Sequence, residues 1–324
     1  MSEIRWGVIG TGGIARAFAR DLQRVPGQKV TAVGSRTIEK ATAFASEFDC
    51  AALGSYQALV ESDVDAVYVA TPHPMHAPNT ILALSHGKPV LCEKPFAVNA
   101  RESSAMIAEA KKRDLLLVEA MWSRFLPHYR AIREMIRAGE FGEIISVSAD
   151  HGQNLPLPKY YRLHAPELAG GALLDLGIYP LSFAYFVLGA PQSVVAKGEF
   201  TETGVDSQTS MILRYDNGAH ANLTTTLLVK SPCTATIVGT RGTLFIDGDF
   251  YTPTSMRFKK TTGEVIEIPK TYEGHGLREQ AIEFAALLQA GKKESELMSH
   301  SDTQSIMETM DEIRSQINLF YPFE

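Results

Sequence analysis

Apolar and polar positions alternate along this chain in two textures that meet near residue 122. Over the first 120 residues, short apolar runs are separated by stretches of helical periodicity. The runs predict strands at Ile4–Ile9, Lys29–Gly34, Cys50–Leu53, Ala66–Ala70, Pro89–Cys92 and Leu115–Glu119. Between them the spacing predicts helices at Ile14–Arg24, Ile38–Phe48, Tyr56–Glu61, His76–His86 and Ala100–Arg113. Strands that alternate with helices build βαβ units on a parallel sheet. Runs such as Val64–Ala70 suit strands covered on both faces.

Beyond Trp122 two helical patterns, Tyr129–Ala138 and Ile178–Leu188, accompany a long series of strand patterns. These are Ile144–His151, Val194–Phe200, Gln208–Tyr215, Ala219–Leu228, Thr234–Gly239, Thr243–Ile246 and Val265–Ile268. Turn signals at Tyr215-Asp216-Asn217-Gly218 and Gly239-Thr240-Arg241-Gly242 separate some of them. Strands in series without helices between them predict an open, mainly antiparallel sheet. Helices at Leu277–Ala290 and Asp302–Asn318 end the pattern. The expected fold is α/β, with an N-terminal Rossmann parallel sheet over residues 1–122. A C-terminal α/β domain over 123–324 is expected to bind substrate and to mediate oligomerisation. Two domains also suit a chain of 324 residues, because single cores stop growing near ~250–300 residues.

The first strand runs directly into Gly10-Thr11-Gly12-Gly13-Ile14-Ala15. A G-x-G-x-x-A turn between strand and helix is the phosphate-binding fingerprint of a dinucleotide fold. Gly10 permits the tight turn, Gly12 lets backbone amides approach a pyrophosphate, and Ala15 lets the helix pack closely on its strand. Gly10, Thr11, Gly12, Gly13 and Ile14 are therefore the expected phosphate-side contacts. The end of the second strand reads Gly34-Ser35-Arg36-Thr37, with Lys40 one turn later and no acid before Glu39. A carboxylate at this place binds the ribose 2′-hydroxyl of NAD, whereas a guanidinium attracts a 2′-phosphate. Ser35, Arg36, Thr37 and Lys40 thus point to NADP(H).

Two further segments carry chemistry. Glu93-Lys94-Pro95 ends a predicted buried strand, where ligands sit in open α/β sheets. Asp175 and Tyr179 are four residues apart at a helix start and share one face there. Oxidation of a carbinol sheds a hydroxyl proton as hydride leaves carbon, so it needs a positioned base. A tyrosine beside an ammonium meets that need, because the positive charge favours the phenolate. Lys94, Tyr179 and Asp175 are the candidate catalytic set, with Asp175 orienting the other two. Thr71, Pro72 and His76 follow the fourth strand, where a nicotinamide is expected, and join Glu93, Lys94, Trp122 and Arg124 as candidate cofactor contacts. Trp122, Phe125, Asn154, Asp175 and Tyr179 are the candidate substrate contacts.

Composition narrows the alternatives. Hydrophobic residues make up 45% and charged residues 21%, as in ordinary soluble domains. A net charge of −6 leaves no polybasic footprint for nucleic acid or anionic lipid. Cys50, Cys92 and Cys233 form no C-x-x-C and read as buried thiols in a reducing compartment. The opening residues show neither a charged n-region nor an apolar h-region, so a cytoplasmic location is expected. No tyrosine is followed four residues later by lysine, as a short-chain dehydrogenase requires. Zinc-ligand clusters, H-E-x-x-H, G-x-S-x-G and Walker A sequences are also lacking, so no metal is expected.

These segments together resemble the Gfo/Idh/MocA oxidoreductase family over essentially the whole chain. Its E-K-P motif matches Glu93-Lys94-Pro95, and its D-x-x-x-[HY] motif matches Asp175 to Tyr179. Glu119–Phe125, Gly170–Tyr179 and Thr203–Asp206 look shared with the branch of dimeric dihydrodiol dehydrogenases and NADP-dependent D-xylose 1-dehydrogenases. The resemblance implies Lys94 as catalytic lysine, Tyr179 as acid/base, a cis Lys94–Pro95 peptide, and a homodimer formed through the C-terminal sheet. It implies hydride transfer between NADP(H) and a carbinol or carbonyl carbon of a sugar or related polyol. An NADPH-dependent reductase of dicarbonyl or keto-sugars and a non-catalytic NADP(H)-binding sensor stay open beside it.

Overall fold

The opening apolar run becomes strand β1 (Ile4–Ile9), in which Trp6, Val8 and Ile9 have no accessible surface. The computed structural model describes residues 3–324. Around β1 lie the parallel strands β2 (Gln28–Gly34), β3 (Ala51–Leu53), β4 (Ala66–Val69), β5 (Val90–Glu93) and β6 (Leu117–Ala120), in the order β3-β2-β1-β4-β5-β6. The crossovers carry α1 (Gly13–Leu22), α2 (Ile38–Phe48), α3 (Tyr56–Val60), α4 (His76–Ser85) and α5 (Ala100–Arg113). Strand order reverses between β1 and β4, and this switch point opens a ligand crevice at the carboxyl ends of the strands. Every element of this sheet was predicted, with ends displaced by at most a few residues.

The chain packs as two compact units, Met1–Phe125 with Gly274–Gln304, and Leu126–Glu273 with Ser305–Glu324. Gly274–Gln304 thus belongs with the first unit and not with the C-terminal domain of residues 123–324 expected from sequence. The physical reason lies in three contacts. Buried Asp21 on α1 accepts the backbone N–H groups of Gly276 (3.1 Å) and Arg278 (2.8 Å), which fixes the start of α8 (Arg278–Gln289). Phe284 on α8 packs against Trp6, with ring centroids 5.0 Å apart. The free edge of β6 is covered, because Leu117 donates its N–H to the Lys293 carbonyl (3.1 Å) and its carbonyl lies 2.9 Å from His300 Nε2.

In the second unit, eight strands form one mixed sheet. They are β7 (Ile144–Gly152), β8 (Ser193–Phe200), β9 (Asp206–Arg214), β10 (His220–Thr226), β11 (Ala235–Gly239), β12 (Gly242–Ile246), β13 (Met256–Lys260) and β14 (Val265–Ile268). Their order is β14-β13-β12-β11-β7-β10-β9-β8, antiparallel except for the parallel β7–β10 pair. Strand β13 was not predicted: its inward residues are only Met256 and Phe258, and Arg257 between them and Lys259 and Lys260 after them mask the alternation.

Helices α6 (Pro127–Arg137) and α7 (Ile178–Leu188) belong to this unit, and α7 packs on β7 and β10. The helical run Pro166–Leu188 is long and apolar enough to cross a membrane, yet 89% of its apolar window is buried inside the protein, as in a core helix. The division between the units falls within the last helix, α9 (His300–Ile317).

The opposite face of the sheet is bare. One cross-strand row on it reads Val195, Ile212, Asn222, Ser148, Thr236, Phe245, Arg257 and Glu267. Val195 and Ile212 are 62% and 51% exposed, and the Arg257 guanidinium lies over the Phe245 ring.

Candidate active site

In the first unit the glycine turn is built as its sequence requires. Gly10 has φ +107°, and a Cβ there would stand 2.6 Å from the Ala70 carbonyl oxygen. Its N–H donates to Gly34 at 3.0 Å, which joins β1 to the end of β2. Gly12 caps α1 in extended backbone, and no atom lies within 4 Å of a Cβ added at Gly12 or Gly13. The amide-bearing N-terminus of α1 is therefore open to an anion. Thr11 and Ile14 flank it half-exposed, and the Arg16 guanidinium bonds the Thr11 carbonyl and Glu47.

At the end of β2, Ser35 is buried while Arg36, Thr37 and Lys40 are exposed. Arg36 lies close enough to Tyr56 that its charge opposes the burial that raises the Tyr56 phenol. Exposed amides, two exposed cations and no acid before Glu39 fit a dinucleotide that carries a 2′-phosphate.

The next loops sit on the same sheet edge. Thr71 accepts from the Asn79 amide (3.2 Å), and Pro72 is half-exposed beside it. The His76 ring is buried, with Nδ1 2.8 Å from the Pro95 carbonyl and Nε2 2.8 Å from the Thr71 carbonyl. It ties the β4 loop to the Lys94–Pro95 peptide, which is cis. Buried Glu93 accepts from the Tyr68 hydroxyl and from the Lys94 N–H (3.2 Å), leaving the Lys94 side chain half-buried at the strand end.

One strand over, burial pushes the Glu119 carboxyl up to about 7, against the hydrogen bond it accepts from Thr303 (2.8 Å). The Trp122 ring meets that of His275 at 4.9 Å. Arg124 is buried and donates to Asp302 (2.8 Å) and to the Leu297 carbonyl (3.4 Å). Phe125 has no accessible surface. Of the expected ligand contacts, His76, Glu93, Arg124 and Phe125 are buried, and the first three are hydrogen-bonded within this unit, where they hold the loops at the strand ends.

In the second unit, Leu173–Gly177 is a π-helical turn that feeds α7. Asp175 lies in that turn and accepts a hydrogen bond from Arg162 at 2.8 Å. Tyr179 follows on the first turn of α7 and is 7% exposed. Its ring lies 5.1 Å from His151 and 4.9 Å from Tyr251, and these two rings stack at 4.0 Å. Gln153 bridges them, its amide nitrogen 3.0 Å from His151 Nε2 and donating to the Tyr251 hydroxyl at 3.3 Å. Burial pushes the Tyr251 phenol well above its usual range. Asn154 is exposed on a cavity of about 440 Å³ that Leu155, His164, Phe200 and Leu228 also line.

Against known proteins, two family profiles match. The NAD-binding Rossmann fold of an oxidoreductase family covers residues 4–120, and the GFO/IDH/MocA C-terminal domain covers 129–245. A trans-1,2-dihydrobenzene-1,2-diol dehydrogenase from Xenopus tropicalis is 36% identical over 98% of this chain and 99% of its own. The chain belongs to the Gfo/Idh/MocA oxidoreductase family. A D-xylose 1-dehydrogenase (NADP(+)) from Hypocrea jecorina is 35% identical over 98% of this chain and 93% of its own. Among solved structures, a 3-ketoreductase from Actinomadura kijaniata in complex with NADP and TDP-benzene superposes with a TM-score of 0.86 at 29% identity, covering 98% of both chains.

Within this Gfo/Idh/MocA member, sequence reasoning overlooked several residues around Asp175 and Tyr179. Arg162 sits in an irregular loop with no periodicity to mark it. His151 had a readable signal: it occupies an inward position of β7, in phase with Val147 and Ala149, where an imidazole is out of place unless it has work to do. The cysteines also differ from expectation, since Cys92 and Cys233 are buried but Cys50 is only half-buried; all three are free thiols.

Proposed function

We propose that this family member transfers hydride between NADP(H) and a carbinol or carbonyl carbon of a sugar or related polyol, as an aldose 1-dehydrogenase or dihydrodiol dehydrogenase would. The observation that carries the reading is the Tyr179 phenol, held on a shaped turn beside an ion-paired carboxylate, in a chain alike end to end with two such dehydrogenases. In this reading the Rossmann unit holds the cofactor, with the amides of Gly12 and Gly13 on its pyrophosphate and Ser35, Arg36, Thr37 and Lys40 on its 2′-phosphate. When bound, NADP(H) supplies or accepts the hydride. Lys94 polarises the substrate oxygen. Tyr179 exchanges the hydroxyl proton. Asp175, tied to Arg162, orients the turn that carries Tyr179. Three free cysteines support a reducing, cytoplasmic setting.

The test is the initial rate of NADPH formation from NADP+ with D-xylose and with a trans-dihydrodiol. A rate above the substrate-free blank supports the reading; tight NADPH binding without turnover of either, or of a dicarbonyl sugar in the reverse direction, overturns it. Reduction of a keto-sugar is a second reading, favoured by the full-length likeness to a 3-ketoreductase.

The bare face of the eight-stranded sheet supports a homodimer built on that face. Ile212→Asp should convert a dimer to a monomer in light scattering; a monomeric parent, or a variant that stays dimeric, removes the proposal.

A further inference from the structure

The turn that presents Asp175 and Tyr179 is held from beneath by a residue with no part in the chemistry. Asp206 opens β9 and has no accessible surface. Its Oδ2 accepts from the Leu173 N–H at 2.8 Å and from the Thr209 hydroxyl at 2.9 Å. Its Oδ1 stands where a Cβ on Gly171 would be, 2.1 Å from that position, and Gly171 adopts φ +117°. Only glycine leaves room for the carboxylate there. The loop before Asp206 is closed by Thr201 N–H to the Val205 carbonyl (2.8 Å) and Gly204 N–H to Thr201 (3.0 Å). From the other side the Tyr321 hydroxyl donates to the Gly170 carbonyl at 2.7 Å. The glycine pair is thus gripped on both sides.

The first N–H groups of a helix have no partner within it, and a carboxylate there satisfies one of them and suits the local dipole. Here the helix starts with a π turn, which holds one more residue per hydrogen-bonded ring than an α turn. Relaxation of that turn to α geometry would rotate the residues before it by roughly 100° about the axis relative to those after it. Asp175 lies inside the turn and Tyr179 beyond it, so turn type fixes the angle between their side chains.

We propose that Asp206 is a positioning residue for the reaction: by bonding Leu173 in the space that Gly171 leaves, it sets the phase between Asp175 and Tyr179. The proposal rests on the reading of Tyr179 as proton exchanger. It extends the site to Gly171, Asp206 and Thr209, none of which touches the reacting atoms.

The experiment measures kcat, KM and NADPH binding for D206A, D206N and T209V, with Y179F in the same series and melting temperature recorded for each. D206A should lose at least about fifty-fold in kcat, with its NADPH dissociation constant within twofold of the parent. D206N, which keeps an acceptor for Leu173, should recover to within about tenfold of the parent. T209V should lose two- to fivefold in kcat at unchanged KM. Parent-like kcat in a folded D206A beside an inactive Y179F overturns the positioning role alone. Parent-like kcat in Y179F overturns the reading on which it rests. If D206A does not fold, T209V decides: an unchanged kcat rejects the proposal, and the stated drop with a parent-like melting temperature supports it.

Discussion

The two sheets solve different problems. The parallel sheet is covered on both faces, and at its strand ends one short glycine turn leaves the backbone amides at the start of α1 open. The eight-stranded sheet is covered on one face only, and the side chains grouped about Asp175 and Tyr179 come from residues 151, 162 and 251, far apart in the chain. A site of backbone groups is compact in sequence because neighbours in the chain build it. A site of side chains is dispersed, because tertiary packing alone brings its members together.

The largest expected effect tests the side-chain half of that contrast. Tyr179→Phe keeps the ring among His151 and Tyr251 and removes only the hydroxyl. Turnover should fall by about 10²–10⁴, the range typical of a lost general acid or base, while NADPH still binds. Lys94→Ala, at the end of β5 in the parallel sheet, should cost nearly as much in kcat, and near-normal turnover in either variant, read from steady-state rates, would show that the chemistry lies elsewhere.

Next comes the backbone-built half. Arg36→Asp places a carboxylate where a 2′-phosphate is expected and should move the NADP/NAD preference by about tenfold or more toward NAD, an effect on the order of 1.4 kcal/mol. A preference that does not move assigns the phosphate to other residues.

Two pH effects, on stability instead of turnover and opposite in sign to each other, distinguish the units further. Glu119 titrates near 7 in the fold and near 4.5 when unfolded, so its contribution is complete below 4.5 and is lost as pH rises to 7. Burial lowers the pKa of His128, whose Nε2 lies 3.1 Å from the Phe250 carbonyl, from 6.5 to about 4. Its contribution is complete above 6.5 and is lost as pH falls to 4. At ~1.4 kcal/mol per unit, each shift is worth on the order of 3 kcal/mol. Calorimetric melts should show E119Q gaining on the parent between pH 5 and 8, and H128Q gaining between pH 7 and 4. Two variants with flat differences across pH would mean that the native groups titrate normally.

The smallest effect is expected at Asn154, which is exposed at the cavity's rim; Asn154→Ala should change KM by no more than a fewfold. A loss beyond tenfold would bring the 440 Å³ cavity into the substrate site.

How much was legible follows the same division. The glycine turn, the uncompensated Arg36 and the order of strands and helices could all be read, because each depends on residues within about thirty positions. Lys94, Asp175 and Tyr179 were marked by residue type and spacing. The π turn was not, since Leu-Leu-Asp-Leu-Gly suits an α-helix equally well and the choice is made by Asp206, some thirty residues later. The bonding of Arg124 and His76 was not legible, because a cation or imidazole near a ligand loop looks alike in sequence whatever its partners are. Tertiary structure supplies those partners, Asp302 and the carbonyls of Thr71 and Pro95.

The segment that covers the edge of β6 has a consequence for synthesis. When the ribosome has made residues 1–125, all six parallel strands exist, but Trp6 lacks Phe284, Asp21 lacks the amides of Gly276 and Arg278, and β6 presents unpaired backbone groups. At synthesis rates of roughly 5–20 residues per second, these partners arrive about 8–35 seconds later. The part of the chain made first must wait for one of the last parts made, and during that interval the growing sheet is open to a neighbour's strand.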